Sequence, residues 1–412
     1  MGLAHQLRKH LQAGVAVISY RLTKSDVFLM CLDRDTLLLN RFSRDPVFDG
    51  MMKALTDGRS GIDSLSIMAP SKRDLLCRLL PTDFIRPGIK EILLLPSREL
   101  CYVPLESLPL GPQGSTLLDH CSVRYALSAS ALLEVPVDPE PLNELQMIAF
   151  APQYGLGITS TSNDAVTRNI LMAVEERSRS GPLLHNQDEV VAIARQVTAT
   201  SYVAEKADES AFKASLAGGS VLHMAMHAYS DAEPSRSGLV FNIMDQIGDG
   251  TRAAMLPVGE DGVFHAYELL TRRVNSPLVV LSACETGQGE YQNGEGIRSL
   301  ARSFMLAGAR STVASLWKVD DQATKEIMVK FYEKLAEGMG KADALVEAKR
   351  WYRRTYPNEP PSKWAAFILI GDNEPVLLKK RSPMRPWMWG AGVVLLIAGA
   401  AFLRQRSTRQ AA

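Results

Sequence analysis

An α/β protein built on a mainly parallel sheet flanked by helices is expected from three features of the sequence. The chain has 412 residues, 46% of them apolar and 22% charged, enough to bury a sizeable core. From residue 146 onward, short apolar runs alternate with helical patterns, the signature of βαβ units. A separate set of strand-like runs precedes residue 145, and no period of 20 to 50 residues suggests a solenoid.

In the first lobe, 1–145, the runs AVISYRL, DVFLMCL, TLLLNRF, EILLLP and SVRYAL read as strands, separated by helical stretches such as 71–80. The proline-rich VPVDPEPLNE at 135–144 suits neither helix nor central strand and marks the connection between lobes. The second lobe, 146–375, reads in order as strand QMIAFAP, helix 187–197, strand TSYVA, helix 208–217 and strand SVLHMAM. Strand PLVVLSA, helix 295–308, strand STVASLW, helix 321–337 and strand AAFILIG follow. Helix 295–308 places Ile297, Leu300, Ala301, Phe304 and Gly308 on one stripe, and Gly308 ends it. Asp320 and Asp321 are expected to cap helix 321–337, where carboxylates meet unpaired N–H groups.

Beyond 375 come a basic linker, 376–385, an uncharged segment, 386–403, and a basic tail, 404–412. The segment PWMWGAGVVLLIAGAAFL holds 18 residues without a charge. As a helix it would be about 27 Å long, close to the shortest span of a hydrocarbon core about 30 Å thick. Trp387 and Trp389 stand at one boundary and Arg404, Arg406 and Arg409 beyond the other, an arrangement suited to a membrane interface. A transmembrane helix is therefore expected, with the protein tail-anchored in the inner (cytoplasmic) membrane and the folded part in the cytoplasm. The N-terminal apolar run, Ala13 to Ile18, is too short for a signal peptide.

A net charge of +1 gives no electrostatic reason to expect a nucleic-acid partner. Five cysteines, Cys31, Cys77, Cys101, Cys121 and Cys284, show no CxxC spacing, so neither a disulfide framework nor a zinc ribbon is indicated. His223 and His227 have HxxxH spacing, but on a strand they lie about 13 Å apart, too far to share an ion. No metal and no cofactor is expected, and His223, deeper in its run, reads as a hydrogen-bonded core histidine. Between Gly289 and Gly294 the chain has the spacing of a phosphate loop, but Glu295 and Gly296 replace the residues that would hold phosphate and magnesium. It reads as a mobile loop.

Two apolar runs end in reactive side chains. SVLHMAM leads to His227 and PLVVLSA to Cys284. If the two strands are parallel neighbours, both residues emerge at the carboxyl edge, where open α/β sheets place their ligand crevice. That pairing suits a thiol nucleophile with an imidazole base. Taken alone, Cys284 could equally be a small buried apolar residue.

The stretch VLHMAMHAYSDAEPSRSGLVF resembles the histidine motif of CHAT domains, caspase-like cysteine peptidases related to caspases and separase. LSACETGQGEYQNGEGIRSLARSFMLAGARSTVASLWKVDDQAT resembles their cysteine motif, and the likeness covers roughly residues 10 to 373. The resemblance implies a caspase-like fold whose N-terminal lobe is a degenerate, noncatalytic relative of the catalytic one. It further implies His227 as general base and acid, Cys284 as nucleophile, and a thioester intermediate in peptide-bond cleavage. The backbone N–H groups of Cys284 and Ala228 would hold the oxyanion. The family usually has glycine at position 228, so Ala228 raises the question of strain if φ is positive there. By analogy with caspases, Ser282 and Trp317 would line the pocket for the substrate residue preceding the cut, and a small neutral Ser282 implies no strong requirement for Arg or Lys. A protein substrate is implied, and some relatives cleave gasdermin-like membrane-pore precursors. The alternative is a noncatalytic, membrane-anchored caspase-like scaffold.

Overall fold

The structure, a computed structural model, describes residues 2–56, 62–63, 76–81, 83–110, 115–129, 144–154, 183–229, 233–241, 262–283, 286–287, 289–292 and 296–381. The expected transmembrane segment 386–403, the tail 404–412, residues 382–385 of the basic linker, residues 71–75 of the expected helix 71–80, and the connection 135–143 lie outside them. Among the described residues, no helix is long and apolar enough to cross a membrane. The described residues up to Lys379 form one compact unit.

In the first half, helix α1 (Gly2–His10) leads into strands β1 (Val15–Leu22), β2 (Asp26–Leu32) and β3 (Leu37–Ser43), helix α2 (Pro46–Thr56), and strands β4 (Glu91–Leu95) and β5 (Ser122–Tyr125). The second half opens with β6 (Met147–Ala151), α3 (Asn186–Ala194), β7 (Ala199–Val203), α4 (Glu209–Ser215) and β8 (Val221–Ala225). Three short strands follow, β9 (His227–Tyr229), β10 (Gly238–Val240) and β11 (Val263–His265). Then come β12 (Val279–Ser282), β13 (Gly289–Gln292), β14 (Gly296–Ser299), α5 (Leu300–Leu306) and β15 (Ser311–Ser315). Helices α6 (Asp321–Ala336) and α7 (Lys341–Thr355) and strand β16 (Phe367–Gly371) complete the unit.

Both halves contribute to one 11-stranded sheet of order β3-β2-β1-β4-β5-β16-β15-β12-β8-β6-β7. Pairing is antiparallel at β3-β2-β1 and at β15-β16, and parallel elsewhere. β16, last in the chain, sits between β5 and β15 and so joins the halves. The central strands β4, β8, β12 and β15 are buried along their whole length, as continuous apolar runs in a parallel sheet should be.

Strand alternation sorts the helices by face. His223 on β8 meets Tyr332 of α6, whereas Phe150 stands opposite Met224 and so points the other way. Phe150 packs edge-on against Phe212 of α4, which in turn meets Phe304 of α5. Helices α3 and α6 therefore cover one face of the second half, and α4 and α5 the other. Each buried aromatic of this kind stabilises the fold by about 1.5–3 kcal/mol relative to leaving it exposed.

Two readings need correction, and one helix was not read from the sequence. The helix expected from 295 begins only at Leu300, where Ser299 Oγ accepts the N–H of Arg302 at 3.3 Å as an N-cap. Residues 296–299 instead pair antiparallel with 289–292, so the glycine-rich stretch read as a mobile loop contains a hairpin, Tyr291 opposite Ile297. Glycines at 294 and 296 disfavour helix there. Finally, α7 escaped the sequence reading because Lys341 and Lys349 interrupt its apolar stripe, yet both are buried and paired, with Asp372 and Glu106 respectively.

Candidate active site

β8 and β12 are parallel neighbours, with Leu222 opposite Val279, His223 opposite Val280, and Ala225 opposite Ser282. The two chains thus leave the sheet at the same edge and level, one toward His227 and the other toward Cys284. Cys284 and Glu285 themselves lie outside the described residues. The chain on either side of them is fastened to one residue of the adjoining strand, Ser315. Its buried hydroxyl donates to Ala283 O at 2.7 Å, its N–H donates to Thr286 Oγ1 at 3.3 Å, and its carbonyl accepts Gly287 N–H at 2.9 Å. Gly287 permits this approach, since a Cβ there would lie 3.1 Å from Ser315 O.

β8 stops at Ala225, a bend falls at Met226, and His227 opens β9 in a separate three-stranded antiparallel sheet of order β11-β10-β9. His227 faces Val240, and Ala228 faces Leu239. Gly238 allows the three strands to close up, because a Cβ there would sit 2.8 Å from Phe264 O. Among the described non-glycine residues only Arg98 and Ala204 have positive φ, so Ala228 carries none of the strain that replacing a left-handed glycine would bring. Tyr154, just past β6, lies against His227 with ring centroids 4.5 Å apart, and its hydroxyl accepts the His227 N–H at 2.9 Å. Asn186, the first residue of α3, ties the β6 and β8 exits together, its Nδ2 donating to Pro152 O at 2.8 Å and Ala225 O at 3.2 Å. His227 is 2% exposed.

Beneath the edge runs a polar chain. Ser282 Oγ donates to Glu189 Oε1 at 2.7 Å, and His223 Nε2 lies 2.9 Å from the same oxygen. On the other side of the ring, Nδ1 shares a hydrogen bond with the Tyr332 hydroxyl 3.2 Å away. Burial, and then the Glu189 charge, hold the Tyr332 phenol well above its ordinary range and so protonated. His223 is thus the hydrogen-bonded core histidine expected. Ser282 and Trp317 are buried in this structure, Ser282 on Glu189 and Trp317 through Nε1 donating to Ser362 O at 2.9 Å. Of the two carboxylates expected to cap α6, Asp320 does so, accepting Ala323 N–H at 3.1 Å. Asp321 instead accepts His185 N–H at 2.6 Å at the start of α3, where burial raises its pKa.

Burial pushes the thiols of Cys31, Cys101 and Cys121 up to about 12, so none of these is a nucleophile near neutral pH. Among the described residues, no group of three or more His, Cys, Asp or Glu side chains could hold a metal ion. Sequence reasoning missed Tyr154, Asn186, Glu189 and Ser315. For Asn186 and Glu189 a signal existed, two polar residues on the buried stripe that continues through Val190 and Ile193.

A family model described as CHAT domain matches residues 68–372. Tetratricopeptide repeat protein 28 of Mus musculus is 24% identical over 307 residues, 69% of this chain and 12% of that protein. Tetratricopeptide repeat protein 28 of Homo sapiens is 26% identical over 238 residues, 52% of this chain and 10% of that protein. The chain therefore spans about a tenth of the length of the curated relatives it matches. Among solved structures, the Saccharomyces cerevisiae separase–securin complex is similar with a TM-score of 0.52 at 11% identity, covering 92% of this chain and 31% of that chain, a likeness of fold.

Proposed function

This chain belongs to the CHAT domain family, and from that premise we propose that it is a cysteine endopeptidase in which Cys284 is the nucleophile and His227 the general base and acid. One observation carries the reading: the parallel register that sets Ala225 opposite Ser282, two residues before each reactive position. His227 takes the thiol proton and the thiolate attacks the scissile carbonyl carbon, whose electron pair moves to oxygen. Collapse of the tetrahedral intermediate breaks the C–N bond, and His227 protonates the departing amine. Water then attacks the thioester, giving its proton to His227 and releasing the acid and the free thiol.

We place the enzyme at the inner (cytoplasmic) membrane as a tail-anchored, single-pass protein. The support is the run of 18 uncharged residues at 386–403, with basic residues on both sides. Its substrate class is then a gasdermin-like or other membrane-associated protein. Carbonate washing of membranes should leave the full-length chain in the pellet, and its release would refute the span. Profiling new protein N-termini in cells carrying the wild-type or Cys284→Ala chain tests the chemistry. Termini dependent on Cys284 identify the substrate, and their absence refutes the peptidase reading. The second reading, a noncatalytic membrane-anchored scaffold, is favoured by the near-complete burial of His227. A cysteine-reactive peptide probe that labels Cys284 excludes it.

A further inference from the structure

We infer that Tyr154 is the positioning residue of the dyad histidine, holding His227 through a hydroxyl bridge across the β9–β10 pair. The inference rests on the peptidase reading above. Tyr154 lies three residues beyond the end of β6, at the edge where β8 and β12 also leave the sheet. Its hydroxyl accepts the backbone N–H of His227 at 2.9 Å and donates to the carbonyl of Val240 at 2.7 Å. His227 and Val240 face each other in the strand register, so a single oxygen spans the pair. The Tyr154 ring also lies against the imidazole, 4.5 Å between centroids and tilted by 48°.

One side chain therefore sets both the backbone from which the imidazole springs and a wall against which the ring rests. The wall is itself fixed to the strand that delivers the histidine. Asn186 donates to Pro152 O and Ala225 O, two residues before Tyr154 and two before His227. His227 is buried, so removing the hydroxyl takes away the acceptor of its N–H where solvent is scarce, and the end of the strand is then free to shift. A shift of about 1 Å at a reacting group can cost about a hundredfold in rate. Tyr154 gives its own proton to Val240 O, so its part is to hold the base and it exchanges no proton with substrate.

The test uses the full-length chain and follows iodoacetamide alkylation of Cys284 by peptide mapping across about pH 5 to 9. Wild-type Cys284 should react well below the ordinary thiol range of about 8.5, as a thiolate paired with imidazolium, and His227→Ala should remove that low-pH limb. Tyr154→Phe keeps the ring and removes only the bridge. It should slow Cys284 alkylation about tenfold below about pH 7 and move the inflection toward 8.5, with Cys77 labelling unchanged. A purely structural role would lower the melting temperature and leave the inflection in place, and that result overturns the inference. If wild type lacks the low-pH limb, or His227→Ala retains it, the peptidase reading fails and takes this inference with it. A second measurement needs no variant: the His227 amide should be protected from hydrogen exchange, and exchange at the rate of an open chain would show that the bridge does not exist.

Discussion

Several parallel neighbours in the sheet end nearly level with each other, and two of these pairs, β4 with β5 and β8 with β12, put their ends to different use. In the first pair Leu94 stands opposite Tyr125, as Ala225 stands opposite Ser282 in the second. Beyond β4 and β5 the chain turns inward on itself. Ala126 N–H donates to Leu94 O at 3.0 Å, Ser97 Oγ accepts Leu22 N–H at 3.0 Å, and the Tyr125 hydroxyl donates to the buried Glu106. Lys349 of α7 completes that cluster, 2.8 Å from Glu106. Beyond β8 and β12 the strand ends are fastened from either side instead, by Asn186 and by Ser315, and His227 and Cys284 each follow two residues after their strand. Parallel strand ends alone thus do not make a reactive site. What sets the second pair apart is that neighbouring elements take over the fastening, and that a histidine and a cysteine follow the strands in sequence.

Removing the reactive side chains breaks the comparison most severely. Cys284→Ala and His227→Ala should each abolish proteolysis, a loss of about 10³-fold or more, and the double variant should be no worse, because the pair acts as a unit. Rates measured on one cleaved peptide check this, and a double variant far slower than either single one overturns the shared step. Cys31, Cys101 and Cys121, their thiols near 12, should stay unlabelled by iodoacetamide at about pH 8 in the folded chain.

The opposite behaviour is expected at the β4–β5 end. Glu106→Gln or Lys349→Met leaves one partner of a buried ion pair uncompensated and should destabilise the fold by about 3–5 kcal/mol. Urea titration reads that loss, while kcat of the protein that remains folded should hardly move. A variant that keeps its stability and loses its chemistry would place this end in the site.

How much of this was legible in the sequence follows from the range of each interaction. The buried strands stood out because their apolar runs are continuous, and His227 and Cys284 because they come directly after two such runs. Helix α7 did not, since two lysines sit on its buried face, and whether a lysine is paired depends on residues elsewhere in the chain. The groups that hold the site were hidden for the same reason. Tyr154 lies 73 positions from the histidine it holds, and Ser315 lies 32 from the carbonyl it fastens. Each is a single polar residue without periodicity, so only the folded topology reveals its partner.

A smaller effect sharpens the β12 side. Ser315→Ala removes the hydroxyl that fastens Ala283 O and leaves that buried carbonyl short of a donor, at a cost of about 1 kcal/mol in stability. Because the bond adjoins position 284, kcat should fall about tenfold with KM nearly unchanged. A rise in KM with kcat unchanged would mean that Ser315 shapes substrate binding and does not hold the turn.

The smallest effect concerns Asp321, which joins α6 to the start of α3 just behind this edge. Burial raises its carboxyl pKa above the ordinary range, against the opposing pull of the His185 N–H. A carboxyl whose folded pKa exceeds its unfolded value holds its proton more tightly when folded. Its contribution to stability is then complete below the unfolded pKa, about 3.9, and is lost as pH rises through the folded value. Asp321→Asn keeps an oxygen for the His185 N–H and carries no charge, so it should lack this dependence. The urea midpoint of wild type relative to the variant should therefore decline slightly as pH is raised from about 3 toward 7. A relative midpoint that rises over that interval would mean that the ionised carboxylate is the favoured form in the fold, and that the two helices are joined by charge rather than by the hydrogen bond alone.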